Sequence, residues 1–210
     1  DFMVLVPNID AYAPYAQAVF GPVQYCLPFH VADRHPALEM PICRTVLAVL
    51  ELANTRLTLA DVLHILESPA VRARFGLFAA DVPILRQLCQ QAGICWGLDG
   101  ESRHKQFDLP PFDDNAWLQG LDRLLLGTLT GPVDEMVLDT LPVGDTTESR
   151  TELLQRFTSF VHLLFDRVRE LRELASFTEW SSRIDRIVEE LILASNVDEE
   201  NAVKQLKRAT

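Results

Sequence analysis

Residues 149–174 read SRTELLQRFTSFVHLLFDRVRELREL, and their pattern indicates a helical fold. Its large apolar side chains recur every three or four residues, at Leu153, Phe157, Phe160, Val161, Leu164, Val168, Leu171 and Leu174. This spacing predicts a helix of about six turns that buries one face in a core. The opening Ser149-Arg-Thr-Glu152 has the form of a capping box, which is typical of a helix start. We therefore expect the helix to begin at Ser149 and Leu164 to be fully buried.

Similar patterns predict further helices on both sides of this one. Apolar spacing and capping residues place them at 10–20, 36–53, 58–66, 68–76, 84–93, 117–127, 178–191 and 198–208. Single glycines are expected to end several of them, among them Gly76 and Gly127. Residues 97–115 and 131–145 are rich in turn-forming residues, which predicts two loops, the first of them the segment most open to proteases.

The first 35 residues have a different character from the rest. Phe2–Val6 is short and apolar, which predicts a strand buried on both faces. Tyr25–Val31 predicts a second extended segment at a sheet edge, because Pro28 cannot donate a backbone hydrogen bond. We therefore predict a mainly α fold with a small α/β entry. Its divisions are residues 1–35, a first helical part over 36–130, and a helical continuation over 131–210.

The ends of the sequence, its apolar stretches and its cysteines indicate the cellular compartment and whether the chain is part of a longer protein. Both ends of the sequence lie inside predicted elements, so we expect a piece of a larger intracellular, cytoplasmic protein. No stretch approaches the roughly 18 consecutive apolar residues of a membrane-spanning helix. The four cysteines, which form no Cys-x-x-Cys pair, are expected to be buried free thiols rather than disulfides or zinc ligands: Cys26, Cys43, Cys89 and Cys95.

The chain is acidic, with 30 acidic against 19 basic residues and a formal net charge of −11. Such a chain does not attract phosphate over its whole surface, so contact with nucleic acid would need a local basic strip or a partner. Arg34, His35 and Arg44 form the one basic cluster near the predicted strands. Phosphate contact and a solvated helix start are both open for it. The tryptophans could stack on bases, but their apolar neighbours favour core packing at Trp96, Trp117 and Trp180.

The sequence has no group of residues with the spacing of a catalytic or cofactor site. Its nine glycines are scattered singly, whereas a phosphate-binding loop needs closely spaced glycines after a strand. No histidine pair has metalloprotease spacing. His64 and His162 lie within predicted apolar helices and are expected at the boundary between core and surface. The carboxylates of Glu189 and Glu190 are expected to be solvated. We therefore expect no catalytic residue, no metal and no cofactor in this chain.

Several stretches together resemble the RecC family, the gamma subunits of bacterial exodeoxyribonuclease V. The matching segments follow one another in the order of that family: Phe2–Gly21, Leu27–Arg34, Ala70–Phe75, Ala92–Asp99 and Trp117–Gly127. The resemblance is continuous over about residues 1–130 and thinner beyond. It is more specific than any single motif, because several segments match in the correct order.

The resemblance implies part of an inactivated second lobe of a superfamily 1 helicase, followed by its helical insertion domain. In working motors of that superfamily, the helix after the first strand supplies an arginine to the nucleotide phosphates. Residues 1–33 here contain neither arginine nor lysine. Negative charge that develops on the γ-phosphate would therefore be uncompensated from this side. We expect a helicase-shaped lobe without motor function.

The resemblance also implies a role and partners. The chain would contribute to strand channelling and subunit docking in the recombinational repair of DNA breaks. Its partners would be RecB-like and RecD-like motor and nuclease subunits, and single- and double-stranded DNA bound by the whole complex. That complex is an ATP-dependent exodeoxyribonuclease and helicase, whereas enzymatic activity of this chain stays open. The alternative is a helical protein-interaction scaffold that does not contact nucleic acid.

Overall fold

The computed structural model describes residues 3–7, 9–20, 40–131, 133, 135–144, 147–194 and 197–209. Within these ranges the regular structure is helical, apart from an isolated antiparallel bridge between Val137 and Thr140. The helices are α1 (Ile9–Phe20), α2 (Pro41–Leu52), α3 (Leu59–Ile65), α4 (Pro69–Phe75), α5 (Asp81–Gln91), α6 (Gly100–Phe107), α7 (Trp117–Thr130), α8 (Glu148–Leu171), α9 (Phe177–Leu191) and α10 (Val197–Ala209). The mainly α character is confirmed, while the helicase-lobe part of the fold class stays a prediction.

Helix α8 lies at the centre of the core, as its apolar periodicity predicts. Its buried side chains are Leu154, Phe157, Phe160, Val161, Leu164, Phe165, Val168 and Leu171. Helices α2, α4, α5, α7 and α9 all pack against it. The ring centroid of Trp117 in α7 lies 5.5 Å from that of Phe165 and 6.3 Å from that of Phe157. Leu164 is 0% exposed, which confirms the predicted buried face.

One apolar core runs through the helical part of the chain, from Ile42 in α2 to Ala202 in α10. The last helix packs against α2 and so brings the C-terminal residues onto the same core. Among the described residues, no helix is both long enough and apolar enough to cross a membrane. The division of the chain after residues 35 and 130 stays a prediction.

The strand predicted at the N terminus is wrong for the residues that the structure describes. Residues 3–6 have no regular structure, and the side chains of Met3, Val4 and Leu5 are 85%, 83% and 86% exposed. A strand needs a neighbouring backbone to exchange hydrogen bonds, and no described segment provides one. Helix α1 is confirmed, with Pro14 inside it. The extended segment predicted at 25–31 lies outside the described residues.

The loop predicted over residues 97–115 contains a helix, α6. Asp99 caps it by accepting a hydrogen bond from the backbone N–H of Ser102 at 2.7 Å, and Asp108 ends it with a φ of 53°. Arg103 within it is buried, and its guanidinium donates to three backbone carbonyl oxygens. Polar contacts of this kind hold a helix that has almost no apolar periodicity, which explains why the sequence pattern did not reveal it.

Helix α7 continues through Gly127, where the sequence predicted its end, as far as Thr130. A Cβ atom at Gly127 would overlap the backbone of Val143, which crosses the helix at this point. The glycine therefore permits the close approach of a loop instead of ending the helix. The helix ends at Gly131, whose φ of 75° is readily adopted only by glycine.

The predicted helix starts have mixed outcomes. The capping box at Thr58 is confirmed at the start of α3. Ser149 is not the cap of α8: the helix begins at Glu148 after Thr147, because backbone N–H groups of the first turn already bond to the Thr147 carbonyl. Thr178 is not the cap of α9, since the serine two positions before it forms a capping box with the glutamate at 179.

Helix α8 ends at Leu171, although the apolar pattern continues to Leu174. The chain turns at Arg172, whose guanidinium donates to the carbonyl oxygens of Ala53 and Thr55 at 2.9 and 3.1 Å. Partial burial lowers the pKa of this guanidinium. The turn leaves Leu174 and the first residue of α9, Phe177, 103% and 96% exposed. We call Leu174 and Phe177 together the apolar turn, because they lie in and directly after the turn between α8 and α9.

Candidate nucleic-acid interface

The sequence-predicted basic cluster is only partly described by the structure. Arg34 and His35 lie outside the described residues. Arg44 lies on α2 with an exposed side chain. The structure therefore does not test whether these three residues come together, and their contact with DNA stays a prediction.

Most arginines that the structure describes are bound internally. Seven of them donate side-chain hydrogen bonds to backbone carbonyl oxygens: Arg72, Arg74, Arg103, Arg123, Arg156, Arg172 and Arg183. Several of these bonds join segments that are distant in sequence, such as Arg74 in α4 to the carbonyl of Glu190 in α9 at 3.0 Å. Guanidinium groups used in this way stabilise the packing of helices and have fewer N–H groups available for phosphate.

A second set of arginines forms ion pairs between α8 and α9. Arg167 and Arg186 both contact Glu170, at 3.1 and 3.2 Å, and Arg167 also lies 3.4 Å from Glu190. Glu190 is therefore part of an interhelical network, which corrects the prediction of a solvated carboxylate; its neighbour Glu189 is exposed. The network pairs the charges of both arginines with carboxylates of the fold, and the Arg167 side chain is only 14% exposed.

A different arrangement surrounds Arg56, in the turn between α2 and α3. Its guanidinium carbon lies 5.8 Å from the ring centroid of Trp96 and 5.4 Å from that of Phe107. The two rings meet edge to face at 5.8 Å, and the buried guanidinium of Arg103 lies 4.3 Å from the Trp96 centroid. We call Arg56, Trp96, Arg103 and Phe107 the Arg56 cluster. An exposed cation beside aromatic rings, here Arg56 beside Trp96 and Phe107, is typical of sites that contact phosphates and bases.

The backbone beneath the Arg56 cluster is held from several sides. The N–H of Gly97 donates to the Arg56 carbonyl at 2.9 Å, and the N–H of Leu59 donates to the Cys95 carbonyl at 2.9 Å. The indole N–H of Trp117 donates to the carbonyl of Leu57 at 2.8 Å. These bonds fix the turn on both sides of Arg56, so the cluster is positioned by the fold and not by loose surface side chains.

The Arg56 cluster is not evident from the sequence, which predicts a loop over residues 97–115. On a helix, Arg103 and Phe107 lie four residues apart and therefore on one face. The core position predicted for Trp117 is confirmed, since that side chain is 0% exposed. Trp180 is partly buried against the core, whereas Trp96 is partly buried in the cluster at the surface.

The remaining candidate residues have no arrangement that suggests chemistry. Among the described residues, no group of three or more His, Cys, Asp or Glu side chains is placed to hold a metal ion.

Burial raises the pKa of the Cys89 thiol to about 12 and also raises that of Cys43. Cys95 is exposed, which corrects the prediction that it is buried, and Cys26 lies outside the described residues. His64 is largely exposed, 3.0 Å from a Glu67 carboxylate oxygen.

A family model for the fourth domain of the RecBCD enzyme subunit RecC matches residues 39–210. The chain belongs to the RecC family. It is 31% identical over 182 residues to the RecBCD enzyme subunit RecC of Escherichia coli, a match that covers 86% of this chain and 16% of that protein. RecC of Mycolicibacterium smegmatis is 31% identical over 226 residues, covering 99% of this chain and 20% of that protein. RecC of Mycobacterium tuberculosis is 32% identical over 189 residues, covering 86% and 17%.

These matches confirm the resemblance found in the sequence. The chain spans between 16% and 20% of the length of these RecC proteins. The family model begins at residue 39, so it includes every helix from α2 to α10 and all of the Arg56 cluster. The arrangement of the first 35 residues as a helicase lobe stays a prediction.

Proposed function

We propose that this chain is a non-catalytic part of a RecC-type subunit that takes part in recombinational repair of DNA double-strand breaks in the cytoplasm. Its role in that subunit is to form part of the channel for the separated strands and to dock RecB-like and RecD-like subunits. The observation that carries the proposal is the match of residues 39–210 to a RecC domain. The absence of arginine and lysine from residues 1–33 supports a lobe without motor function.

The distribution of charge supports limited contact with DNA. The chain is strongly acidic, and most of its described arginines are engaged by carbonyl or carboxylate oxygens of the fold. A surface of this kind repels a phosphate backbone except where a cation faces outward. We therefore propose that DNA contacts a few outward-facing positively charged side chains and is not bound along a continuous basic groove.

Binding of single-stranded DNA as a function of salt tests this proposal. We expect the 210-residue chain to bind a fluorescently labelled oligothymidylate weakly at low salt, measured by fluorescence anisotropy. With one or two phosphate contacts, the slope of log affinity against log salt should lie between about −0.7 and −1.4. A chain that shows no binding even at 20 mM salt, roughly the low-salt limit of such an assay, would favour the scaffold hypothesis instead.

The alternative, a protein-interaction scaffold without nucleic-acid contact, is favoured by one observation. Leu174 and Phe177 of the apolar turn are almost completely exposed at the junction of two well-packed helices. Exposed apolar side chains mark docking sites for other proteins where they form part of a contiguous patch, and the scaffold hypothesis requires such a patch here. In both hypotheses we propose a RecB-like or RecD-like subunit as the docking partner.

Co-purification with the partner subunits tests the docking role. Leu174→Ser and Phe177→Ser are expected to reduce recovery of a RecB-like or RecD-like subunit when a RecC subunit that carries them is co-expressed with both partners. Leu129→Ser is the matched control, because Leu129 is 80% exposed at the end of another helix, α7. Equal recovery for all three variants and the unmodified subunit would show that the apolar turn does not dock these partners.

ATP hydrolysis tests the non-catalytic part of the proposal. We expect no hydrolysis by the purified chain, with or without single-stranded DNA. Hydrolysis that co-elutes with the chain would contradict the proposed loss of motor function. We propose no cofactor or metal for this chain.

A further inference from the structure

We infer that the Arg56 cluster is a binding site for one nucleotide step of single-stranded nucleic acid. In this site the guanidinium of Arg56 contacts a phosphate and the exposed side of Phe107 stacks on the adjacent base. The inference deepens the proposed function, on which it rests, by naming the surface that guides the strand. The contacts of the Arg56 side chain differ from those of most arginines that the structure describes.

The guanidinium of Arg56 is available to a ligand. Its side chain is exposed, and it makes no hydrogen bond or ion pair with any other residue that the structure describes. Its contacts are with the rings of Trp96 and Phe107, which attract the positive charge without using its N–H groups. All five N–H donors therefore remain for an anion, and their fork geometry fits two phosphate oxygens.

The site is also fixed in place before a ligand arrives. Arg103, which stacks on Trp96, donates to the carbonyl oxygens of Trp96, Phe112 and Asp114 at 2.5, 3.1 and 2.7 Å. A Cβ atom at Gly97 would lie 2.6 Å from Nε of Arg103, so the chain keeps a glycine there, at a φ of 72°. A rigid platform loses little conformational entropy on binding, which favours even a weak contact.

Nearby carboxylates do not cancel the charge of Arg56 by direct contact. Glu101 pairs with Lys105 at 2.6 Å, Asp99 accepts from the N–H of Ser102 at 2.7 Å, and Asp113 accepts from a backbone N–H at 2.6 Å. Their field still lowers the affinity for an anion, so we expect weak and salt-sensitive binding.

The aromatic half of the site favours a nucleotide over an acidic peptide. Phe107 is 37% exposed at the end of α6, next to the cation. A carboxylate would use only the guanidinium, whereas a nucleotide uses the cation and the ring together. Every base has a face that can stack, so the site should show little sequence preference. The ligand class that matches both halves is single-stranded nucleic acid.

Anisotropy titrations of the 210-residue chain with labelled oligothymidylate at low salt test the site. Arg56→Gln is expected to weaken binding about fivefold or more, and Phe107→Leu, which keeps an apolar side chain but cannot stack, about threefold or more. Arg86→Gln is the matched control, since Arg86 is another exposed arginine, on α5, and the change removes the same charge; we expect less than a twofold effect. Unchanged thermal unfolding of each variant, followed by circular dichroism, shows that the fold is intact.

The outcomes separate this inference from the proposed function. Salt-sensitive binding that Arg56→Gln and Arg86→Gln weaken equally would overturn the site but leave the proposed DNA contact. No binding by the unmodified chain would overturn both. A labelled oligoglutamate peptide is the second probe: if Arg56→Gln weakens binding of the peptide but leaves oligothymidylate unchanged, the site recognises an acidic protein segment, and the inference is wrong.

Discussion

Leu164 and Leu174 belong to the same apolar pattern in the sequence, and the structure separates them completely. Leu164 is 0% exposed inside the core, whereas Leu174 is 103% exposed beyond the end of α8. Leu164→Ala removes about three buried carbon groups, each contributing about 0.8 kcal/mol by transfer from water. The cavity that remains raises the total destabilisation to about 2–5 kcal/mol. Leu174→Ala removes no buried surface and should change stability by less than about 0.5 kcal/mol.

Thermal and urea unfolding, followed by circular dichroism at 222 nm, the usual helix signal, measure the difference. For a domain of this size, about 1 kcal/mol shifts Tm by about 2–4 °C, so Leu164→Ala should lower Tm by about 4–20 °C. The urea midpoint should fall at an unchanged slope, because the surface exposed on unfolding is nearly the same. A shift of less than 2 °C for Leu164→Ala, or an equal shift for Leu174→Ala, would refute the assignment of the core face.

Local contacts at Gly127, Cys95 and Glu179 can each be tested by one measurement. Gly127→Ala should lower the urea midpoint, although alanine usually stabilises a helix interior, because its Cβ would overlap the carbonyl of the loop that crosses α7; a raised midpoint would contradict that contact. A maleimide at pH 8 should label the exposed Cys95 before Cys89, because the Cys89 thiol has a pKa of about 12 and stays protonated. Mass spectrometry of the peptides gives the order of labelling. Equal labelling rates would be inconsistent with the burial of Cys89. Hydrogen bonds from Ser176 hold the pKa of Glu179 below its usual 4.5, so this carboxylate stabilises α9 at neutral pH and loses that effect as the pH falls below about 4.5. Glu179→Gln should therefore lower Tm at pH 7 more than at pH 3, and a loss that does not depend on pH would show that the charge contributes nothing.

Much of the helical architecture could be predicted from the sequence, and the errors have identifiable causes. Apolar periodicity located α8 and its buried face, because burial of a stripe every 3.6 residues is a local property of the chain. The capping box at Thr58 could also be predicted, since both partners lie within four residues. Helix α6 could not be predicted, because it depends on hydrogen bonds of Arg103 to carbonyls about ten residues away.

The candidate site could not be predicted from the sequence. The cluster joins residues that are distant in sequence, since about 50 positions separate Arg56 from Phe107. The sequence neighbours of Arg56, Trp96 and Phe107 give no indication of a surface cluster. Trp96 and Trp117 have similar apolar neighbours, yet one lies at the surface and the other is fully buried. Membership of the RecC family, by contrast, was recognisable from the order of matching segments, without any structure.

The mainly helical character, the positions of most helices and the family membership are evident from the amino-acid sequence, because they depend on local spacing and on the order of residues. Which cations face outward is evident only from the folded structure. A guanidinium such as Arg172 or Arg103 is used internally when a carbonyl oxygen from another segment lies within hydrogen-bond distance. Arg56 is exposed, and its contacts among the described residues are with two aromatic rings. The same residue type therefore stabilises the fold at one position and presents charge to a ligand at another, and the difference lies in contacts between distant segments.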